Sequence, residues 1–150
     1  MKKVEIKKIG ELNPGALQAL LKESRAEGFA FLEKLANEYS SGVNRFQKRG
    51  ETLLGAFEGQ KLIAICGLNQ DPYHLNQNDI GRVRHLYVLP ACRRQGIGRA
   101  LVQKIIAKAK RYFTLLTLRT PDPDAYLFYA ALGFQTKPKV ENATHHLRLE

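Results

Sequence analysis

The chain has 150 residues, 44% of them hydrophobic and 25% charged, and its formal net charge at pH 7 is +10. This length can bury a core without metals or disulfides, and the composition is that of a globular protein, which excludes a disordered or fibrous chain. The first five residues include three charged side chains, no apolar run follows them, and no stretch approaches ~18 apolar residues. We therefore expect a soluble, cytoplasmic protein without a signal peptide or membrane span, in which residues 1–150 form a single domain.

The first half of the chain combines a short edge strand, two helices and a hairpin. Asn13-Pro14 supplies an N-cap and a first-turn proline for the first helix, and Gly59-Gln60 is typical of a hairpin turn. The predicted elements are a strand over residues 4–9, a helix from 14 to about 28, a helix from 29 to about 39, a loop over 42–50, and strands over 53–58 and 61–69.

The second half predicts a strand-helix-strand unit followed by a short helix and two final strands. Asp122, between two prolines, offers an N-cap for the short helix, and Gly133 closes it. The predicted elements are a polar loop over residues 71–79, a strand over 81–89, a helix over 98–112, a strand over 113–119, a helix over 125–132, and strands over 134–136 and 144–149. This order predicts an α/β fold with one mixed, mostly antiparallel sheet and helices on both faces; strands 81–89 and 113–119 should be parallel neighbours.

The segment Arg93-Arg94-Gln95-Gly96-Ile97-Gly98 lies between a predicted strand and a predicted helix. The first N–H groups of a helix have no intrahelical partner and sit at the positive end of its dipole. Gly96 and Gly98 allow the backbone to approach a ligand closely, and Arg93, Arg94 and Arg99 add positive charge. The segment therefore predicts a phosphate-binding cradle, although it matches neither a Walker loop nor the full dinucleotide fingerprint.

The net positive charge is concentrated around this cradle. Residues 81–120 contain ten Lys and Arg and no Asp or Glu. The lysines of the 98–112 helix are best explained as a solvated face, whereas the arginines near the cradle could meet a phosphate-bearing ligand. A nucleic-acid surface is the rival explanation, but the sequence has no zinc spacing, helix-turn-helix signal or aromatic RNA-binding motif.

The two cysteines, Cys66 and Cys92, are far apart in the sequence and match no metal-ligand or redox spacing. Cys66 lies in an apolar strand and is interpreted as a small core residue. Cys92 could be an exposed thiol, but we assign it no function, and we expect no metal.

Two blocks of the sequence resemble a known family. Leu86-Tyr87-Val88-Leu89-Pro90 followed by Arg93-x-x-Gly96-x-Gly98-x-x-Leu101 is similar to the acyl-CoA signature of the GCN5-related N-acetyltransferases (GNAT). Ala125-x-x-Phe128-Tyr129-x-x-Leu132-Gly133-Phe134 resembles the later strand-helix unit of that family. The resemblance implies about 6–7 strands and about 4 helices, with a central parallel strand pair that splays apart near a bulge, and acetyl-CoA as the cosubstrate, its pantetheine arm lying in the gap.

The resemblance also implies roles for individual residues. The backbone N–H of Val88 would face the thioester oxygen, and Tyr129 would protonate the sulfur of the leaving CoA, because a phenol still carries its proton at neutral pH. Asp122 stands where relatives often have Asn near pantetheine, and an anion there departs from that pattern. The implied cofactor-binding residues are Leu86, Tyr87, Val88, Arg93, Arg94, Gln95, Gly96, Ile97, Gly98, Arg99, Asp122 and Phe128.

The general base is where the sequence departs most from the family. Many relatives carry Glu six positions before the Val88 equivalent, and this chain has Arg82 there, with no carboxylate between Arg82 and Arg119. We choose His85 as the catalytic candidate for its ordinary pKa, although a structural strand residue is an equal alternative. Arg82 could instead select an acceptor bearing a carboxylate or phosphate, a hypothesis motivated by Arg82, Arg84 and the local positive charge. The remaining base candidates are Asp79, His74, Glu23, Glu27 and Glu33.

The sequence therefore predicts an N-acyltransferase that moves an acetyl group from acetyl-CoA to a primary amine by direct attack in a ternary complex. The acceptor is a small-molecule or peptide amine, and we expect neither membrane nor nucleic-acid binding. Dimerisation is an expectation by analogy alone. The alternatives are an acyl-CoA-binding regulatory module with weak or no catalysis, which the missing strand carboxylate favours, and a basic nucleic-acid-binding domain.

Overall fold

The computed structural model describes residues 3–74, 76–77 and 79–150; Met1, Lys2, and the polar-loop residues Leu75 and Asn78 lie outside the described residues. The strands are β1 (Val4–Lys8), β2 (Thr52–Glu58), β3 (Lys61–Gln70), β4 (Ile80–Val88), β5 (Leu115–Leu118) and β6 (His145–Arg148). The helices are α1 (Pro14–Ala26), α2 (Phe31–Ser41), α3 (Ile97–Ala109) and α4 (Pro123–Ala131), and a short 3-10 turn covers Pro90–Cys92. In the described part of the chain, no helix is long and apolar enough to cross a membrane.

The six strands form one sheet in the order β1-β2-β3-β4-β5-β6. β4 and β5 are parallel and are connected through α3, whereas every other neighbouring pair is antiparallel. The run Leu62–Leu68 in β3 is buried on both faces of the sheet, with α1 and α3 both in contact with this strand. The predicted mixed, mostly antiparallel α/β fold is therefore confirmed.

β4 and β5 separate soon after they meet. Their pairing covers three residues and ends at Arg82↔Thr117, while β4 continues to Val88. The β3–β4 register changes between Gly67↔Arg84 and Ile65↔Tyr87, so that β4 contains one extra residue there. His85 lies in this bulge with a φ of +62°. A bulge bends the strand that carries it, and the last part of β4 is left with an edge that β5 does not cover.

Side-chain caps fix the beginnings of two helices. The Asn13 side chain accepts a hydrogen bond from the Gly15 N–H at the start of α1, and the Asp122 side chain accepts one from the Asp124 N–H at the start of α4. Both predicted N-caps are thus confirmed. α3 begins differently, because its N-cap residue Gly96 has a left-handed φ of +78°.

Several predicted boundaries were displaced by capping interactions. α2 begins at Phe31 rather than at residue 29, because the Phe29 N–H binds the Ser24 carbonyl and so belongs to the end of α1. α3 ends at Ala109 rather than 112, since the Phe113 N–H also turns back to the Ala109 carbonyl and delays the start of β5. Residues up to Phe113 therefore supply hydrogen bonds to the end of α3, and β5 begins only at Leu115.

The predicted strand over residues 134–136 was wrong. This segment makes one isolated bridge, Gln135↔His146, against β6. Pro138 follows shortly afterwards and has no N–H with which to extend the pairing. The sheet consequently has six strands, at the lower end of the expected range.

Candidate functional site

A cleft of about 1650 Å³ opens where β4 and β5 separate. Its walls come from the second half of β4, the Arg93–Gly98 cradle, the start of α4, and the α2 side of the molecule. Most of the predicted site residues line this cleft, but the exposed Gln95 does not. The predicted residues that it brings together are His85, Leu86, Tyr87, Val88, Arg93, Arg94, Gly96, Ile97, Gly98, Arg99, Asp122, Phe128 and Tyr129.

The end of β4 presents backbone groups to the cleft. The Leu89 N–H donates to the Ile63 carbonyl at 2.9 Å, and Tyr87 is opposite Ile65, so these residues pair towards β3. Alternation along the strand then directs the N–H groups of Leu86 and Val88 away from β3. Because pairing with β5 has already ended at Arg82, these two N–H groups can receive a ligand.

The cradle combines a helix N-terminus with open space. The first intrahelical bond of α3 joins the Ala100 N–H to the Gly96 carbonyl at 3.0 Å, which leaves the preceding N–H groups without intrahelical partners. A Cβ built on Gly96 would meet nothing within 4 Å, whereas one on Gly98 would lie 3.5 Å from the Val88 side chain. The exposed Arg94 and Arg99 add positive charge. This arrangement fits a diphosphate group.

Arg93 does not contribute a free charge to the cradle. Its guanidinium makes two hydrogen bonds to the Glu27 carboxylate, at 2.7 and 2.8 Å, and its Nε donates to the Val88 carbonyl at 3.0 Å. The Tyr87 hydroxyl donates to the same carboxylate, and the Arg93 guanidinium lies 5.3 Å from the Tyr87 ring. The hydrogen bond from Arg93 lowers the pKa of Glu27. We call Tyr87, Glu27 and Arg93 the α1 latch, because they join the end of α1 to β4 and the cradle.

Tyr129 lies at the bottom of the cleft and is 7% exposed. Its ring packs edge-on against Phe128 and Phe134, with centroids 5.0 and 5.6 Å apart. Its hydroxyl makes no hydrogen bond to any residue that the structure describes. Burial raises the pKa of Tyr129, so the phenol keeps its proton at neutral and moderately alkaline pH.

His85 is 9% exposed and packs edge-on against Phe46 at 6.3 Å. Its buried Nε2 has no hydrogen-bond partner among the described residues. Burial, followed by the nearby charges of Arg84 and Lys34, lowers the pKa of His85 to about 3. The ring is therefore neutral at physiological pH, and Nε2 can act as a hydrogen-bond acceptor.

Arg82, at the usual Glu position, is 6% exposed and already paired. It donates to the Asn142 carbonyl at 2.9 Å and lies 3.6 Å from the carboxylate of Asp71, which also accepts the Thr117 hydroxyl at 2.6 Å. Burial lowers the pKa of Arg82, and the nearby Asp71 opposes this effect. The charge of Arg82 is thus balanced inside the fold, at the point where β4 and β5 part.

The remaining base candidates lie outside the cleft or are engaged. Asp79 accepts a hydrogen bond from the Thr114 hydroxyl at 2.8 Å, Glu33 pairs with Arg25, and Glu27 belongs to the α1 latch. His74 and Glu23 do not line the cleft. Among the described residues, no cluster of His, Cys, Asp and Glu could hold a metal ion.

The cleft also has lining residues outside the predicted set of catalytic and cofactor-binding residues. Arg84 precedes the bulge, and Lys34 and Glu38 lie one turn apart on α2. The available signal was their spacing of four residues, which puts both on one face of a helix. Nothing in the sequence indicated that this face would meet β4.

Comparison with known proteins gives consistent results. A model of the Acetyltransferase (GNAT) family matches residues 16–134, and no curated protein matches the chain. An acetyltransferase-like protein from Exiguobacterium sp. 255-15 is 32% identical, with a TM-score of 0.85 over 97% of this chain and 93% of that chain.

Two more distant structures share the fold. An acetyltransferase from Streptococcus agalactiae 2603 is 20% identical, with a TM-score of 0.74 over 97% of this chain and 98% of that chain. The acetyltransferase-like protein yncA from Salmonella typhimurium, solved with its cofactor acetyl-CoA, is 14% identical, with a TM-score of 0.68 over 98% of this chain and 94% of that chain.

Proposed function

Because this chain belongs to the GNAT acetyltransferase family, whose members use acetyl-CoA, we propose that it is an N-acetyltransferase. It moves the acetyl group of acetyl-CoA to the primary amine of an acceptor by direct attack in a ternary complex, and residues 1–150 form one domain. The observation that carries this proposal is the uncovered edge of β4 beside the Arg93–Gly98 cradle, in one cleft.

The cradle and the β4 edge bind the donor. The N–H groups at the start of α3 hydrogen-bond the diphosphate of CoA, and Arg94 and Arg99 offset its charge. The backbone groups of Leu86 pair with a pantetheine amide as a neighbouring strand would. Asp122 uses its side chain to cap α4, so it borders the donor site mainly through its backbone.

The Val88 N–H stabilises the charge that develops on the thioester oxygen. Such a fixed donor acts more strongly in a cleft from which water is excluded, and removing one donor of this kind typically lowers the rate by about 10²–10³-fold. Because this donor belongs to the backbone of a strand already held by β3, its position does not depend on side-chain reorganisation.

Two buried side chains act on the acceptor amine and on the leaving thiolate. His85 orients the neutral amine by accepting a hydrogen bond through Nε2, an atom that is buried in the structure and that acceptor binding has to uncover. Because the pKa of His85 is low, the proton passes on to solvent. Tyr129 keeps its own proton until the CoA thiolate leaves and then donates it to the sulfur. The resulting phenolate recovers a proton from water.

The test is an acceptor panel with two readouts. Acetyl-CoA is incubated with the protein and a range of small amines and peptides, free CoA thiol is measured, and the acetylated product is identified by mass spectrometry. The expected result is stoichiometric thiol release and product formation that require both substrates, with intersecting lines in two-substrate kinetics. Intact-protein mass spectrometry without acceptor checks that no acetyl group remains on the chain, for example on the cleft-lining Cys92.

Two results would contradict the proposal. An acetylated protein that then transfers its acetyl group would replace direct attack with a covalent route. Tight acetyl-CoA binding with no product from any amine would favour the acyl-CoA-binding regulatory module, the reading that the absent β4 carboxylate and the low pKa of His85 support.

A further inference from the structure

The part of the cleft opposite the cradle has an unusual charge balance. We call it the acceptor half and define it by the lining residues within 29–51, 69–73 and 82–85. This name rests on the proposed function, which places the donor at the cradle. Its charged lining residues are the cations Lys34, Arg45, Lys48, Arg82 and Arg84 and the anions Glu38 and Glu51, which gives a net charge of 5 − 2 = +3.

The carboxylate of Glu51 is not free to receive a cationic ligand. It is 9% exposed and accepts the backbone N–H groups of Lys48 and Gln70, at 3.1 and 3.0 Å. Glu38 remains as the accessible carboxylate among these lining residues, and it lies 3.8 Å from Arg84. The acceptor half is therefore a poor site for a polycationic amine.

Two of the arginines are also engaged. Arg82 is balanced by Asp71 and bound to the Asn142 carbonyl. Arg45 donates to the carbonyls of Tyr39 and Ser40 at the end of α2, at 3.0 and 3.4 Å. Both side chains use their donors to hold the fold together.

Arg84 is different, because its contacts are long. Its guanidinium lies 3.8 Å from the Glu38 carboxylate and makes a 3.5 Å hydrogen bond to the Asn69 side-chain oxygen, which already accepts the Asn44 amide at 3.0 Å. A guanidinium has five N–H donors arranged to meet a planar anion. Its side chain is 19% exposed and faces the cleft next to the bulge, with Lys34 on the opposite wall.

We propose that Arg84, assisted by Lys34, binds an anionic group on the acceptor, so that the substrate is a primary amine that also carries a carboxylate or a phosphate. Arg84 precedes His85 and Val88 on the same strand, so an acceptor anchored at Arg84 extends its amine along β4 towards the acetyl group. The surrounding cations disfavour the ammonium form of the acceptor and so favour the neutral amine that attacks. An anionic group on the acceptor offsets the repulsion that these cations would otherwise exert.

Matched amine pairs test this inference. Each pair differs in one anionic group: glycine and glycinamide, lysine and lysinamide, 4-aminobutyrate and its amide, and O-phosphoethanolamine and ethanolamine. The first three pairs vary the distance between amine and carboxylate, and the last separates phosphate from carboxylate recognition. Acetylation by the wild type, Arg84→Gln and Arg84→Lys is compared with that by Arg111→Gln, which removes the same charge from an exposed site outside the cleft.

The anionic member of at least one pair should have a kcat/KM about tenfold or more above its neutral partner, as expected for one charge-assisted contact. Arg84→Gln should raise KM for that member about tenfold, whereas KM for its neutral partner should stay the same or fall, because one repulsive cation has been removed. Arg84→Lys should retain part of the preference, and Arg111→Gln all of it. Equal use of both members in every pair, or an equal loss of both in Arg84→Gln, would overturn the inference while leaving N-acetylation intact.

A binding experiment separates this inference from the proposed function. The same pairs are titrated calorimetrically into protein saturated with CoA, which needs no catalysis. Tighter binding of an anionic member, lost in Arg84→Gln, supports the acceptor assignment even if no amine is acetylated. Equal binding within every pair, or binding of no amine at all, overturns it. Thermal unfolding of each variant shows whether the fold is retained, and the charge-preserving Arg84→Lys keeps the comparison valid if Arg84→Gln is unstable.

Discussion

His85 and Tyr129 are buried in the same cleft, and burial shifts their pKa values in opposite directions. Desolvation disfavours the charged form of each group, so it lowers the pKa of the imidazole to about 3 and raises that of the phenol. At neutral pH His85 therefore offers a lone pair and Tyr129 offers a proton. Acetyl transfer to an amine needs a hydrogen-bond acceptor for the attacking amine and a proton donor for the leaving thiolate.

Tyr129→Phe should lower kcat about 100-fold or more with little change in KM for acetyl-CoA. The reason is that the thiolate would then leave without a proton donor, while the ring would still pack against Phe128 and Phe134. Because the hydroxyl has no partner among the described residues, the melting temperature should change little. Steady-state kinetics and thermal unfolding of the variant provide the measurements.

Tyr126→Phe is the matched control for this prediction. Tyr126 lies on the same helix, is 38% exposed and does not line the cleft. It should therefore keep wild-type kinetics. An equal loss of kcat in both variants, or no loss in Tyr129→Phe, would remove Tyr129 from the proton-donor role.

The sequence identified cleft residues more readily than it identified their partners. The Phe128-Tyr129 motif predicted that these side chains belong to the site, and both line the cleft. The partner of Arg93 is Glu27, 66 residues away, and only the folded chain brings them together. For the same reason a local pattern could assign His85 an ordinary pKa but could not reveal the burial and the neighbouring charges of Arg84 and Lys34 that lower it.

At the level of elements, the α1 latch joins the end of α1 to the end of β4 and to the cradle. Glu27 follows α1, Tyr87 lies near the end of β4, and Arg93 begins the cradle. Since the Arg93 Nε also donates to the Val88 carbonyl, loss of the Glu27 carboxylate should loosen both the cradle and the end of β4.

Glu27→Gln should destabilise the fold by about 1 kcal/mol at pH 7 and raise KM for acetyl-CoA. The pKa of Glu27 is lowered in the folded state from its usual 4.5, so the stabilisation is present above pH 4.5 and is lost as the pH falls through the folded-state pKa. The difference in unfolding free energy between wild type and variant should thus be constant between pH 6 and 8 and shrink in more acidic solution. Urea unfolding at several pH values measures it.

Glu11→Gln provides the control, because Glu11 is exposed and lies outside the latch. It should leave stability and KM near wild-type values. If the Glu27→Gln difference persisted unchanged below the folded-state pKa, the ion pair could not be its source.

A second prediction for these elements concerns the ion pair between Asp71 and Arg82, at the point where β4 and β5 separate. Asp71 is 1% exposed and balances the buried Arg82. Asp71→Asn should destabilise the fold by about 3–5 kcal/mol, because a buried guanidinium would lose its counter-charge. Asp79→Asn, an exposed change in the same loop, should cost about 1 kcal/mol or less. Similar losses in the two variants by chemical denaturation would show that Arg82 is not held by Asp71.

Element order was predictable because most elements carry their own start and stop signals. Asn13-Pro14, Gly59-Gln60 and Asp122 each marked a boundary that the structure retains. The segment 134–136 has β-favouring residues, but a strand there also needs several residues of β6 as pairing partners. Only one pair forms, Gln135↔His146. The number of residues that pair is a property of the whole sheet, and a local sequence pattern does not determine it.

At the scale of the whole molecule, fold and charge distribution act together. The sheet separates at β4 and β5, and the most cationic part of the sequence, residues 81–120, supplies much of the cleft wall. The sequence could show this excess of charge but not its division. Arg93 is paired with Glu27 and the buried Arg82 with Asp71, while Arg94, Arg99 and Arg84 face the cleft. Such a division favours small anionic ligands over an extended nucleic-acid surface.

Calorimetric titration of acetyl-CoA tests whether the cradle and the open β4 edge form an acetyl-CoA site. The wild type is compared with Gly96→Ala and Gly59→Ala, two left-handed glycines (φ +78° and +63°) at which a new Cβ would meet no atom within 4 Å. Each substitution should cost about 1–2 kcal/mol of stability through backbone strain. Only Gly96→Ala should disturb the cradle.

The predicted result is one acetyl-CoA site per chain in the wild type and in Gly59→Ala, with affinity at least tenfold weaker in Gly96→Ala. The contradictory result is an absence of acetyl-CoA binding by the folded wild type, or an affinity that is the same in Gly96→Ala as in Gly59→Ala. In either case the cradle would not be an acetyl-CoA site, and the proposed roles of Val88 and Tyr129 would lose their basis.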